Sequence, residues 1–247
     1  MDDFEQIYAR QMAVFDAEQQ RLAAEARQRQ KDERRRARRQ AQMDALLGQL
    51  APAAHRWATA GNPLFRGKVL LHNVVDWVMN PPTTTFVVLG GPSGAGKTSL
   101  AWAAVHEATR REWQDVVDQN LERDPFTGFE ITDPFKPIAR VVSAQRLAVA
   151  RVQSRAGTGE AEEVRLALES PWLIIDDLGQ ESQTPSSAVS DVVFARYDAQ
   201  KRTWITTGLT FDKIDYAYGR GFGRRLVDRS TVVKLGKLDS EPLPGVR

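Results

Sequence analysis

The sequence predicts an α/β fold: a five-stranded parallel sheet flanked by helices, with an α-helical extension in front of it. Three observations predict it. Five short apolar, β-branched runs alternate with helix-forming segments. A glycine-rich loop of eight residues joins the first of those runs to the helix after it. The first fifty residues, by contrast, contain no Gly before Gly48 and no Pro before Pro52.

The extension spans residues 1–50. Ala, Gln, Glu and Arg dominate it, and the expectation is one or two long helices. Phe4, Tyr8, Met12, Phe15 and Leu22 recur at spacings of four, four, three and seven, which places them on one helical face. That face can pack on the rest of the chain, dock a partner protein, or self-associate. Sustained heptads for a coiled coil are missing. The charge is polarised: residues 1–25 carry −4 and residues 26–40 carry +6, within a chain of net charge +2. The run KDERRRARRQ has almost no apolar residue. It is either a solvated face or a phosphate-binding one. APAAHRWATAGNP, residues 51–63, reads as a linker. The second domain then covers residues 64–247.

The 247-residue chain has no cysteine. That excludes disulfides, iron–sulfur clusters and thiolate zinc sites. Its three histidines are scattered, so no His-based metal site is expected. No apolar run reaches the roughly 18–20 residues of a membrane span, and the acidic opening MDDFEQ is unlike a secretory signal. A cytoplasmic protein is expected, with no membrane partner.

FVVLGGPSGAGKTS, residues 86–99, is the strongest motif. Phe86–Leu89 reads as a buried strand and SLAWAAVHEATRR as the following helix. Between them stands Gly91-Pro92-Ser93-Gly94-Ala95-Gly96-Lys97-Thr98, with Ser99 next. Glycines at 94 and 96 let main-chain N–H groups turn toward one anion, at a helix N-terminus. Lys97 is expected to reach the β- and γ-phosphates, and the Thr98 hydroxyl to ligate Mg²⁺. The second piece of the pocket is PWLIIDDLG, an apolar strand ending in Asp176 and Asp177. In a parallel sheet, ligands collect at the carboxyl ends of strands. Asp176 is assigned to Mg²⁺ and Asp177 to the attacking water, because metal binding and water activation need separate carboxylates. The remaining strands are expected at 139–143, 203–207 and 231–235, with helices at 98–111 and 144–155.

This order of landmarks resembles the AAA+ ATPases of the DnaC/IstB group, the helicase loaders and transposition helper ATPases. The resemblance covers roughly residues 60–237 and rests on GPSGAGKTSLAWA, VVSAQRL, WLIIDDLGQES, VVFARYDAQKRTWITTGLT and YGRGFGRRL. It implies an AAA+ P-loop fold without a C-terminal helical lid, since 22 residues follow Arg225. It implies ATP with Mg²⁺ as cofactors, and assembly into a ring or spiral. Arg225 matches the arginine finger, with Arg224 and Arg220 as neighbours that could replace it. The group usually carries Asn after the sensor strand. Here Gly208 stands there, leaving Thr207 or Thr206 to orient water and implying slow hydrolysis.

Two functions follow from the resemblance. One is a loader that binds a hexameric replicative helicase through residues 1–45 and places it on single-stranded DNA. The other is an IstB-like helper that assembles on duplex DNA and recruits a transposase. The aromatic face and separate Arg run fit protein docking better than a folded DNA-binding module. A non-hydrolysing adaptor that uses ATP structurally rests on Gly208 alone. A phosphotransferase lacks a recognisable acceptor site. For single-stranded DNA, Arg146, Arg151 and Arg155 are candidate contacts, with Arg123 and Lys136 as alternatives.

Overall fold

The computed structural model describes residues 2–56, 58–59, 86–119, 135, 139–153, 159–181, 188–228 and 230–235. In chain order these form helix α1 (Asp2–Leu50), a 3₁₀ turn (Ala53–His55), β1 (Phe86–Gly90), α2 (Lys97–Gln119), β2 (Ala139–Ser143) and α3 (Ala144–Gln153). There follow α4 (Glu162–Glu169), β3 (Trp172–Leu178), α5 (Ala188–Asp198), β4 (Arg202–Thr207), α6 (Phe211–Tyr218), α7 (Arg220–Asp228) and β5 (Ser230–Lys234). The chain divides into two compact units, Met1–Leu46 with Glu112–Phe135, and Leu47–Arg111 with Lys136–Arg247. No described helix is long and apolar enough to cross a membrane.

The larger unit is built on one sheet of order β2-β3-β4-β1-β5, every neighbouring pair parallel. Its central strands are near-continuous apolar runs because helices cover both faces. The period of two sorts their side chains. Phe86, Val88, Leu173, Ile175 and Ile205 face one core with Leu147, Val164, Val192, Val193, Phe222 and Leu226 from α3 to α7. Val87, Leu89, Ile174 and Trp204 face the other, against Leu100, Ala101, Ala104 and Val105 of α2. The small alanines of α2 let its backbone lie close on the sheet. Trp172 and Trp204 close that face edge to face at 5.3 Å, and the Arg202 guanidinium lies 3.9 Å over the Trp172 ring.

Strand β4 lies between β1 and β3. The glycine-rich loop after β1 and the two carboxylates on β3 are therefore bridged by the end of β4. Gly91 N–H donates to Thr207 O at 3.3 Å, which ties that loop to β4. Between Ile175 and Leu178 the β3–β4 register shifts, and Asp177 takes a left-handed conformation at φ 57. The strand thus runs on through Leu178, past the carboxylate pair where the sequence suggests it ends.

The extension forms one helix, Asp2–Leu50, as the absence of Pro and of any Gly before Gly48 allows; most of it belongs to the smaller unit. Its partner is the last part of α2, which runs eight residues beyond the expected end at 111. Arg36 donates to Asp118 O at 3.2 Å, and Gln114 donates to Gln40 at 3.4 Å. Trp113 packs on Phe135 with ring centroids 5.4 Å apart. Burial of Trp113 and Val117 accounts for the extra turns. Tyr8, Met12, Phe15 and Leu22 stay exposed, at 59%, 42%, 55% and 47%. Among the described residues nothing covers this stripe; the Phe4 side chain lies outside the described residues.

Candidate nucleotide site

Residues 91–96 make the turn from β1 into α2. Gly94 and Gly96 take φ of 79 and 82, conformations that L side chains avoid, and α2 starts directly at Lys97. The turn closes through Ala95 N–H to Pro92 O at 3.2 Å, and Leu100 N–H to Gly96 O at 2.8 Å begins the helix. Lys97 is 8% exposed and folds back under the loop. Its Nζ donates to Gly91 O at 2.8 Å and to Pro92 O at 2.9 Å. One lysine thereby organises the loop's main chain and keeps a buried cation at its centre. Ser99 shares a 3.2 Å hydrogen bond with His55 Nδ1 from the 3₁₀ turn, a neighbour that spacing along the chain gives no hint of.

The second half of the site lies at the carboxyl ends of β3 and β4. Asp176 Oδ1 accepts from Thr98 Oγ1 at 2.9 Å and from Thr206 Oγ1 at 2.5 Å. The Thr206 hydroxyl also accepts from Asp177 N–H at 2.9 Å. A single hydroxyl therefore fixes both the Asp176 carboxylate and the backbone of Asp177. Asp177 is exposed. Partial burial, then the neighbouring Asp176 charge, push its carboxyl above the usual carboxylate range, and Lys97 pulls partly the other way.

Thr207 stands apart from this cluster. Its hydroxyl donates to Leu178 O at 2.8 Å and accepts from Leu209 N–H at 3.0 Å, and the residue is 1% exposed. Of the two threonines, Thr206 meets the carboxylates and Thr207 pins β3 to β4, because successive residues on a strand point to opposite faces. Thr206→Val is expected to lower nucleotide turnover by about tenfold, the loss of one hydrogen bond to a charged group, while Thr207→Val lowers stability. Turnover that falls only in Thr207→Val would return the role to Thr207.

Do these residues fit Mg²⁺? Among the described residues no group of three or more His, Cys, Asp or Glu could hold a metal ion. The donor set is one hydroxyl and one carboxylate, Thr98 and Asp176. That fits magnesium, which keeps several waters and takes one or two carboxylates together with substrate phosphates.

Arg225 lies on α7 with its guanidinium 4.5 Å over the Phe194 ring and 5.8 Å over Tyr197, and it donates to Gly221 O at 3.2 Å. Arg220 and Arg224 are exposed, the latter 3.8 Å from Asp228. Arg146 pairs with Glu163, and Arg151 pairs with both Glu160 and Asp191. Those hydrogen-bonded carboxylates raise the Arg151 pKa. Arg123, Lys136 and Arg155 lie outside the described residues.

No protein-family model and no curated protein matches the sequence. Solved structures do. One, described as the crystal structure of the DnaC helicase loader, aligns at a TM-score of 0.51 and 16% identity over 74% of this chain and 99% of that one. Another, a DNA replication initiation factor, aligns at a TM-score of 0.50 and 18% identity over 72% of this chain and 49% of that one. At such identities the likeness is one of fold. The five-stranded parallel sheet flanked by helices is the fold in common, and the DnaC/IstB resemblance holds at that level: the chain has a P-loop fold of the AAA+ type, as the DnaC loader does.

Proposed function

We propose that the chain is an ATP-dependent helicase loader, with residues 1–50 as a docking extension, 51–63 as a linker and 64–247 as the ATPase domain. The observation that carries the ATPase reading is the Thr98–Asp176–Thr206 cluster beside a loop-bound Lys97. The loop from Gly91 to Ser99 binds the polyphosphate of ATP through main-chain N–H groups, and Lys97 exchanges its two carbonyl acceptors for phosphate oxygens. Thr98 and Asp176 hold Mg²⁺, which supplies charge neutralisation at those oxygens. Thr206 holds Asp176 and Asp177 in place, and Asp177 orients water and accepts its proton. Arg225 leaves its aromatic seat to serve a neighbouring subunit in a ring or spiral.

Asp177→Asn is expected to retain ATP binding and lose turnover by about 10²–10⁴-fold. An Asn variant with normal turnover would move the base elsewhere.

The docking half of the reading rests on the exposed stripe of α1. An apolar stripe that no described residue covers fits a partner groove. The partner proposed is a replicative helicase, bound through residues 1–45 and delivered to single-stranded DNA. In the full-length chain, Met12→Glu with Phe15→Glu is expected to weaken binding to purified replicative helicase at least about tenfold, as loss of a hot-spot contact does. ATP binding should be unchanged. Undiminished helicase binding, or a transposase as the retained partner, would overturn the loader assignment.

A further inference from the structure

The Arg-rich part of α1 has a geometry that the loader reading does not use. At 100° per residue, Arg27, Lys31, Arg34 and Arg38 fall within an arc of about 60° and extend along about 16.5 Å of helix. All four are exposed. Among the described residues, none has a carboxylate at ion-pair distance. The acids of this stretch lie on other faces: Asp32 is engaged by Gln28 and Arg35. Between Gln20 and Ala45 the cationic face carries no carboxylate and no large apolar side chain.

The packed side of the same helix is opposite. Arg36 and Gln40 bond to the end of α2, and Met43 is 2% exposed. By the helical period these residues are centred roughly 180° from the stripe. The four cations are therefore directed into solvent by the packing of their own helix.

We propose that this stripe binds the phosphate backbone of duplex DNA without reading sequence. A protein interface needs an apolar centre, and this face has none. Single strands are gripped by aromatic side chains that stack on bases, and residues 27–38 contain no aromatic. A duplex presents one phosphate charge per roughly 1.7 Å of axis, and its major groove, about 12 Å wide, admits a helix. Cations in line along a helix need nothing further to bind it. Such contacts position the protein and carry no sequence information. The stripe shares no residue with the ATP site, and its binding needs no nucleotide.

The test is a salt series on the full-length, nucleotide-free chain, by anisotropy, with two unrelated 25-base-pair duplexes and a dT homopolymer. Four phosphate contacts give a log–log slope of about −3.6. Between 50 and 200 mM salt that alone is a loss of affinity of about 150-fold. Arg27→Gln/Lys31→Gln/Arg34→Gln/Arg38→Gln is expected to remove a slope of about that size on both duplexes, with helix content unchanged by circular dichroism. Arg27→Lys/Arg34→Lys/Arg38→Lys should keep it. Equal slopes in wild type and the Gln variant would overturn the proposal. So would a change confined to the homopolymer. A shift in sedimentation of the DNA-free chain on Gln substitution would assign the stripe to a second copy, which also overturns it. A failed ATP titration would leave the DNA result unaffected, so the two readings fail separately.

Discussion

Arg196→Ala is expected to destabilise the larger unit by about 3–5 kcal/mol, the cost of leaving its buried acceptors unpaired and opening a cavity. Arg196 is 0% exposed. Its guanidinium donates to Thr203 Oγ1 at 2.9 Å, Ala167 O at 2.8 Å, Ser170 O at 2.8 Å and Arg202 O at 2.7 Å. These acceptors belong to the end of α4, the turn into β3 and the start of β4. One side chain of α5 therefore gathers the amino-terminal edge of the sheet. Burial lowers its pKa to about 10, so it is still a cation at neutral pH. Truncation leaves three carbonyls in a dry region, each costing about 1–3 kcal/mol when unpaired, and opens a cavity. Arg196→Lys keeps the charge but not the planar fork, so it should recover part of the loss. Urea denaturation measures both. A shift in Arg196→Ala below about 1 kcal/mol, the usual size for a surface substitution or one ordinary hydrogen bond, would show that water replaces the donors.

Lys97→Ala is expected to weaken ATP binding by about 10–150-fold, the value of one or two charge-assisted hydrogen bonds. The lysine has a second task, because its amine ties Gly91 O and Pro92 O together. Lys97→Ala therefore also frees the loop. Lys97→Arg separates the two effects: it keeps a cation but cannot fill the same 8%-exposed seat. Both variants should lose binding if geometry decides. If charge alone decides, Arg restores it.

Much of the larger unit is legible locally. Each of the five strands is a short β-branched apolar run, and the structure places them at 86–90, 139–143, 172–178, 202–207 and 230–234. The glycine-rich loop is legible because Gly94 and Gly96 take backbone angles that side chains forbid. What local reading misses comes from strand order. Nothing in WITTGL says that β4 lies between β1 and β3. Without that placement, Thr206 and Thr207 are equivalent candidates. The β3 irregularity that turns Asp177 to φ 57 is equally hidden, since Asp-Asp-Leu-Gly also reads as a plain strand end. Arg196 escapes because arginine is ordinarily a surface residue; only the convergence of three segments makes it a core one. The length of α2 escapes too. Trp113 and Val117 are ordinary helix residues until the fold buries both and sets Phe135 against the Trp113 ring.

The most direct test of the account is calorimetric titration of the full-length chain with ATP, in Mg²⁺ and again in EDTA. The account predicts one site per chain, with binding tightened by Mg²⁺ through Thr98 and Asp176 and that gain lost in Asp176→Ala. No heat of binding, or affinity indifferent to both Mg²⁺ and Asp176, would contradict it.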